Sequence, residues 1–298
     1  MGVTVAAAAY EMSWLDNWAD YTAKIEMWVA EAAQEGAQLL VFPEYGALEL
    51  STLAGRDVAL DLERSLHAVA EHVPAADALH ADLAKRFGVH ILAASAPVFV
   101  GVDRPVNRAR FFGPQGFIGH QDKQIMTKFE RDPWKVVSGG PLQLFETDLG
   151  KIGILICYDS EFPLLGRALK EADMILVPSC TESLAGYSRV RIGAMARALE
   201  GQCVSVMSST VGACDWSEAV DMNTGGGGVF GPPDLGFPDT GVIAQGALNQ
   251  PGWTCTQVEL DAIARVRVEG SVAGRDHWGE QSGRDGEVTI VSQGPQSP

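Results

Sequence analysis

Long hydrophobic runs are missing from this chain. Nothing in it approaches the roughly 18 to 20 uninterrupted apolar residues that a membrane-crossing helix needs, so no transmembrane span is expected. Basic charge is scarce. Against 38 Asp and Glu stand only 22 Lys and Arg, a formal net charge of -16. Nucleic acid and anionic membrane surfaces repel such a chain, which leaves small molecules as the expected partners. Cysteine is sparse and irregularly placed: five residues, at 157, 180, 203, 214 and 255. An odd number at those spacings gives neither a disulfide framework nor a CxxC zinc pattern, and a reducing cytoplasmic compartment is the natural expectation. The opening MGVTVAAAAYEM has no basic stretch before its short apolar run. It reads as a first strand rather than a secretory leader.

What is present is a globular composition. The 298 residues, 46% hydrophobic and 20% charged, are enough to bury a sizeable core. No linker or shift of composition divides them, so a single domain over 1–285 is expected, followed by a partly disordered tail over 286–298. After the first strand, Trp18, Tyr21, Ile25, Trp28, Val29 and Ala32 recur at helical spacing, with Asp16 as cap and Gly36 as stop. The strand AQLLVFP then delivers Glu44. Two helical patterns follow, one over Val58 to Val69 and one over Leu79 to Phe87, before a buried strand from His90 to Val100. Strands and helices in alternation make this an α/β protein.

A hairpin around Pro114-Gln115-Gly116 comes next, then the polar stretch GHQDKQIMTKFERDPWKVVSGG, which is longer than idle loops usually are. Beyond residue 160 the alternation resumes, with a helix to Ala172, a strand Met174 to Pro178, a helix Tyr187 to Leu199 and a strand from Cys203. AQLLVFPE and ADMILVPS share one layout, which suggests two similar halves. The segment Asp221 to Asp239, with glycines at 225 to 228, lacks the Lys-Ser/Thr of a phosphate loop and reads as a mobile surface loop or, less favoured, an active-site rim.

The chain is organised around KIGILICYDSEFP, residues 151 to 163. An apolar strand ends abruptly at Cys157, and a helical pattern begins at Pro163. That arrangement presents a thiol at the carboxyl end of a sheet, beside amide N–H groups that favour negative charge. Attack on an amide or nitrile carbon requires a thiolate, a base that takes its proton and returns it to nitrogen, and a positive donor for the charge that develops. Cys157, Glu44 and Lys123 supply those types. Taken singly, each has an ordinary explanation: a packed thiol, a helix cap, a solvated charge.

Three blocks together change that balance. FPE at 42 to 44, GHQDKQIMTKFER at 119 to 131 and LICYDSEFP at 155 to 163 resemble, in order and spacing, the signature blocks of the nitrilase superfamily of carbon-nitrogen hydrolases. The resemblance runs from the first strand to about Trp278, and CYDSEFP with the helix GYSRVRIGAMARALE points to an amidase-like branch. It implies a four-layer αββα sandwich that pairs through helical faces into a homodimer or larger assembly, working without metal or organic cofactor. Carried over by position, Glu44 is the general base, Lys123 the catalytic lysine, Cys157 the nucleophile, and Glu130 a second glutamate that orients Lys123 or the substrate. The Tyr158 N–H would complete the oxyanion site, and Thr181 in PSCTES would touch substrate. The implied reaction is hydrolysis of a small amide through a cysteine thioester. Alternatives are a nitrilase acting through a thioimidate, an amide-forming acyltransferase on the same triad, and a catalytically silent binding protein.

Overall fold

In the computed structural model, which describes residues 2–101, 103–284 and 286–292, strand β1 (Gly2–Glu11) has side chains that alternate between two cores. Val3, Val5 and Ala7 point one way, Ala6, Ala8 and Tyr10 the other, as the two-residue period of a strand requires. Along the chain follow α1 (Trp18–Gln34), β2 (Leu39–Val41), α2 (Arg56–Ala59), α3 (Leu62–Phe87), β3 (His90–Leu92), β4 (Ala96–Val98), β5 (Val106–Gly113), β6 (Gly116–Asp122) and α4 (Lys128–Arg131). The second half contains β7 (Leu144–Thr147), β8 (Gly150–Ile154), α5 (Pro163–Ala168), β9 (Met174–Ser179), α6 (Leu184–Gly201), β10 (Val204–Ala213), β11 (Met222–Asn223), β12 (Gly228–Phe230), β13 (Val242–Gln245), β14 (Gly252–Glu259) and α7 (Leu260–Glu269).

The two central strands, β1 and β10, meet in parallel at their carboxyl ends, from Ala9↔Ser209 to Glu11↔Val211. From that seam the halves repeat one plan. β1, β2 and β3 run parallel and end on antiparallel β5; β10, β9 and β8 run parallel and end on antiparallel β7. Each central strand also carries an antiparallel neighbour, β14 on β1 and β12 on β10. One core holds Ala6, Ala8 and Tyr10 with Ile25 and Val29 of α1 and Leu66 and Val69 of α3. The other holds Val3, Val5 and Ala7 with Phe111, Leu176 and, from α6, Val190 and Ala194. The result is the αββα sandwich.

Several local expectations change. Asn17, not Asp16, caps α1, its side chain accepting from Asp20 N. The two helical patterns near residues 58 to 87 become mainly one 26-residue helix, α3, which carries Pro74 in its interior and ends at Gly88 in the left-handed region. The strand expected from His90 to Val100 is two short ones, β3 and β4. Residues 225 to 230 are buried rather than a mobile surface loop. Their glycines allow close backbone packing: a Cβ on Gly225 would sit 2.2 Å from Ser209 Cβ, and one on Gly227 would sit 2.5 Å from Ala7 O. Residues 286–292 form neither helix nor strand, and the rest of the expected tail, 293–298, lies outside the described residues. No helix among the described residues is long and apolar enough to cross a membrane.

Helix α6 braces the turn that carries Cys157. Arg197, buried, donates from Nη1 to Ser160 O at 2.9 Å and pairs with Glu200, so it supports the turn instead of facing a subunit interface. Gly193 lies so close that a Cβ there would meet Ser160 O at 2.9 Å and Ser160 C at 3.0 Å. Gly193→Ala is therefore expected to destabilise the fold by about 1–3 kcal/mol through overpacking, read as a lower urea midpoint. An unchanged midpoint would show that the turn yields freely.

Candidate active site

Four segments of backbone converge at the carboxyl ends of the central strands. Glu44 follows β2 and Tyr45 turns the chain there, with φ of 55°. Lys123 is the first residue after β6, held by its N–H donating to Asn107 O at 2.9 Å. Cys157 opens a 3₁₀ turn over Cys157–Glu161 after β8, with φ of 50°. Left-handed backbone is unfavourable for residues with a side chain, so at Tyr45 and Cys157 the packing around the turns must hold the conformation. Glu130 comes from α4, whose capping box positions it. Glu130 N donates to Thr127 Oγ1 at 3.4 Å, and Thr127 N donates back to Glu130 Oε2 at 2.9 Å.

The side chains meet in the interior. Glu44, Lys123, Glu130 and Cys157 are 2%, 1%, 3% and 4% exposed, so every charge among them is almost fully desolvated. Lys123 Nζ donates to Glu44 Oε1 at 2.7 Å and to Glu130 Oε2 at 2.6 Å. Asn107 Nδ2 donates to the same Glu44 oxygen at 2.9 Å and reaches Glu130 Oε1 at 3.5 Å. Cys180 N donates to Glu44 Oε2 at 3.1 Å, and Tyr45 OH to Glu130 Oε1 at 2.8 Å. Cys157 Sγ donates to Cys180 O at 3.7 Å, and its thiol also lies close enough to hydrogen-bond Glu44. Below it, Asp159 accepts from Gln124 N at 3.1 Å and Ile125 N at 2.8 Å, which ties the cysteine turn to the lysine segment.

These surroundings set the protonation states. Burial pushes Glu44 up, Lys123 pulls it back and the charge of Glu130 pushes it up again, leaving it above the ordinary glutamate value. Burial acts on Glu130 too, but there Lys123 and the donors from Thr127 and Tyr45 outweigh it and keep the group below that value. Burial opposes charge on Lys123, yet its two carboxylates win and hold it well above an ordinary lysine. Burial and the Glu44 charge push the Cys157 thiol well up, against the pull of Lys123. Burial lifts Asp159 to about 7 against the same pull. At neutral pH this is a neutral thiol beside a carboxylate and an ammonium, arranged for proton transfer coupled to attack.

A cavity of about 320 Å³ opens onto this cluster. Glu44, Lys123, Glu130 and Cys180 line it, with Tyr45, Phe129 and Trp134 as an aromatic wall. Cys157 lies behind the Cys180 carbonyl and is not itself a lining residue. Tyr158 follows it in the turn, its ring edge-on to Phe162 at 4.8 Å. Thr181 does not line the cavity, since its hydroxyl donates to Thr224 O at 2.8 Å; its neighbours Cys180 and Glu182 do. Asn107, Tyr45 and Asp159 were not singled out from sequence as site residues. A strand amide such as Asn107 leaves no local pattern, and only the β5–β6 register places it opposite Lys123. Among the described residues, no group of three or more His, Cys, Asp or Glu is placed to hold a metal ion.

Known proteins agree with this construction. The family model described as carbon-nitrogen hydrolase matches residues 4–266. A probable hydrolase of Bacillus subtilis, YhcX, is 34% identical over 274 residues, covering 91% of this chain and 52% of that protein. Nitrilase 1 of Arabidopsis thaliana is 29% identical over 194 residues, covering 60% and 54%. The chain spans about half the length of these curated relatives. Among solved structures, a carbon-nitrogen hydrolase from Helicobacter pylori superposes with TM-score 0.71 at 16% identity over 89% of this chain and 92% of that one. An amidase from Nesterenkonia sp. gives 0.67 at 21% identity over 90% and 94%. Sequence blocks, layered fold and matched span converge: the chain belongs to the carbon-nitrogen hydrolase family, within the nitrilase superfamily.

Proposed function

We propose that this carbon-nitrogen hydrolase cleaves a small amide to a carboxylic acid and ammonia or an amine through a thioester on Cys157. The observation that carries the proposal is the buried ammonium of Lys123 held between Glu44 and Glu130, with the Cys157 thiol against Glu44. Glu44 takes the thiol proton as sulfur bonds to the carbonyl carbon. Lys123 and the Tyr158 N–H stabilise the oxyanion, and Glu44 returns the proton to nitrogen as the carbon–nitrogen bond breaks. Water then gives a proton to Glu44, adds to the thioester and releases the acid and the thiol. Glu130 keeps Lys123 in place and charged. In support, a solved amidase of Nesterenkonia sp. carries acrylamide added at its active site cysteine.

Leu164 on α5 and Ile192 and Leu199 on one face of α6 are exposed, which supports a homodimer formed through these helices. Thr181 is assigned an indirect part, anchoring the Cys180–Glu182 wall to Thr224. Among relatives both amidases and nitrilases occur, and the nitrilase alternative uses the same side chains. Ammonia release from a panel of short amides and nitriles separates them. Turnover of amides that vanishes in Cys157→Ala is the expected result; turnover of nitriles alone favours the alternative, and activity surviving in the variant refutes the nucleophile. Lys123→Ala should lower kcat on the order of 100-fold or more, because an oxyanion donor is lost.

The pH profile is a further test. Glu44 must be ionised to accept the thiol proton, so activity falls as pH drops through its pKa, and that pKa is raised in part by the charge of Glu130. In Glu130→Gln the like charge is gone, so the acid limb of kcat/KM should move to lower pH. A limb that stays in place or moves upward would contradict the coupling.

A further inference from the structure

Resting on the amide-hydrolase reading, the cavity lining points to the part of the substrate that does not react. Its volume of about 320 Å³ is near the small end of the usual range for ligand sites, ~300–1,000 Å³, so it suits a short chain. Lys123 is the one basic side chain among the lining residues, and it is already saturated by two carboxylates at 2.7 and 2.6 Å. A carboxylate on the substrate therefore has no cation to meet, and would enter beside Glu44 and Glu130. The wall is aromatic, with ring centroids of Tyr45 and Trp134 4.7 Å apart and those of Phe129 and Trp134 5.6 Å apart. Met222 adds a further apolar lining group.

Towards solvent the same cavity is lined by Glu182, Glu218 and Asp221, all exposed. Among the described residues none of the three forms an ion pair with Lys, Arg or His. Asp221 Oδ1 accepts from the adjacent Met222 N at 2.7 Å. Acidic surface is common in a chain of net charge -16, so charge alone decides little. The deciding feature is the sequence of surfaces in one cavity: a reacting centre without a spare cation, an aromatic wall suited to an alkyl chain or a cation, then unpaired carboxylates at the mouth. We propose that the preferred substrates are short amides whose far end carries an ammonium or similar cation, with the alkyl chain along Phe129, Trp134 and Met222 and the cation among Glu182, Glu218 and Asp221.

The test compares three near-isosteric amides, γ-aminobutyramide, pentanamide and succinamate, by kcat/KM for ammonia release. The order cation over neutral over anion is expected, with about a tenfold advantage for the cation over pentanamide, the scale of a few solvent-exposed charge contacts, shrinking as salt is added. In the triple variant Glu182→Gln, Glu218→Gln, Asp221→Asn that ratio should fall towards one. Pentanamide turned over as well as the cation, or a ratio unmoved in the triple variant, would overturn the proposal and leave the hydrolase reading intact. Calorimetric binding of the same three amides to Cys157→Ala gives a readout free of turnover. A cation preference there that the three substitutions remove supports the site even if none of the three is hydrolysed, whereas no preference refutes it.

Discussion

A fully buried ammonium is costly unless its charge is matched, and here Lys123 is matched twice. The desolvation penalty of three ions is offset only while Glu44, Glu130 and Lys123 keep their hydrogen bonds, and removing one partner of such a buried set typically costs about 3–5 kcal/mol. That requirement organises much of the molecule. Glu44 arrives from the end of β2, Lys123 from the end of β6, Glu130 from the capped α4, and the donors Asn107, Tyr45 and Cys180 N from three further positions. No single element can form the cluster alone, so a correctly formed cluster reports that both halves of the sandwich are in register.

The same cluster explains why the thiol is quiet at rest. A negative Glu44 beside a buried sulfur keeps Cys157 protonated, and Lys123 offsets this only in part. Attack then costs little extra charge separation, because the proton moves a short way to Glu44 as the negative charge passes to an oxygen near Lys123. The left-handed backbone at Cys157, braced from behind by Gly193 and Arg197 of α6, holds the sulfur at the strand end while Asp159 ties the turn to the Lys123 segment.

Much of this was legible in the sequence for physical reasons. The alternation in β1 follows from the strand period, and the echo of AQLLVFPE in ADMILVPS corresponds to β2 and β9, equivalent strands of the two halves. Glu44, Lys123, Glu130 and Cys157, singled out by three sequence blocks, do meet. Other features depended on packing that no short window contains. Pro74 interrupts the apolar spacing and hid the continuity of α3. The glycines at 225 to 228 resemble a loop until their contacts with Ser209 and Ala7 are seen. Asn107 is a site residue only because cross-strand register sets it against Lys123, and Thr181 drew notice from its block although its hydroxyl turns to Thr224.

The central claim is that Cys157, and no other thiol, carries the acyl group. Cys180 is the informative control, since it lines the cavity while burial raises its pKa to about 12. Acid-quenched peptide mass mapping during turnover of butyramide tests this directly. The account predicts a butyryl mass on the peptide containing Cys157, absent from Cys157→Ala. A butyryl group on Cys180, or continued ammonia release with no acylated thiol at any quench time, would contradict it.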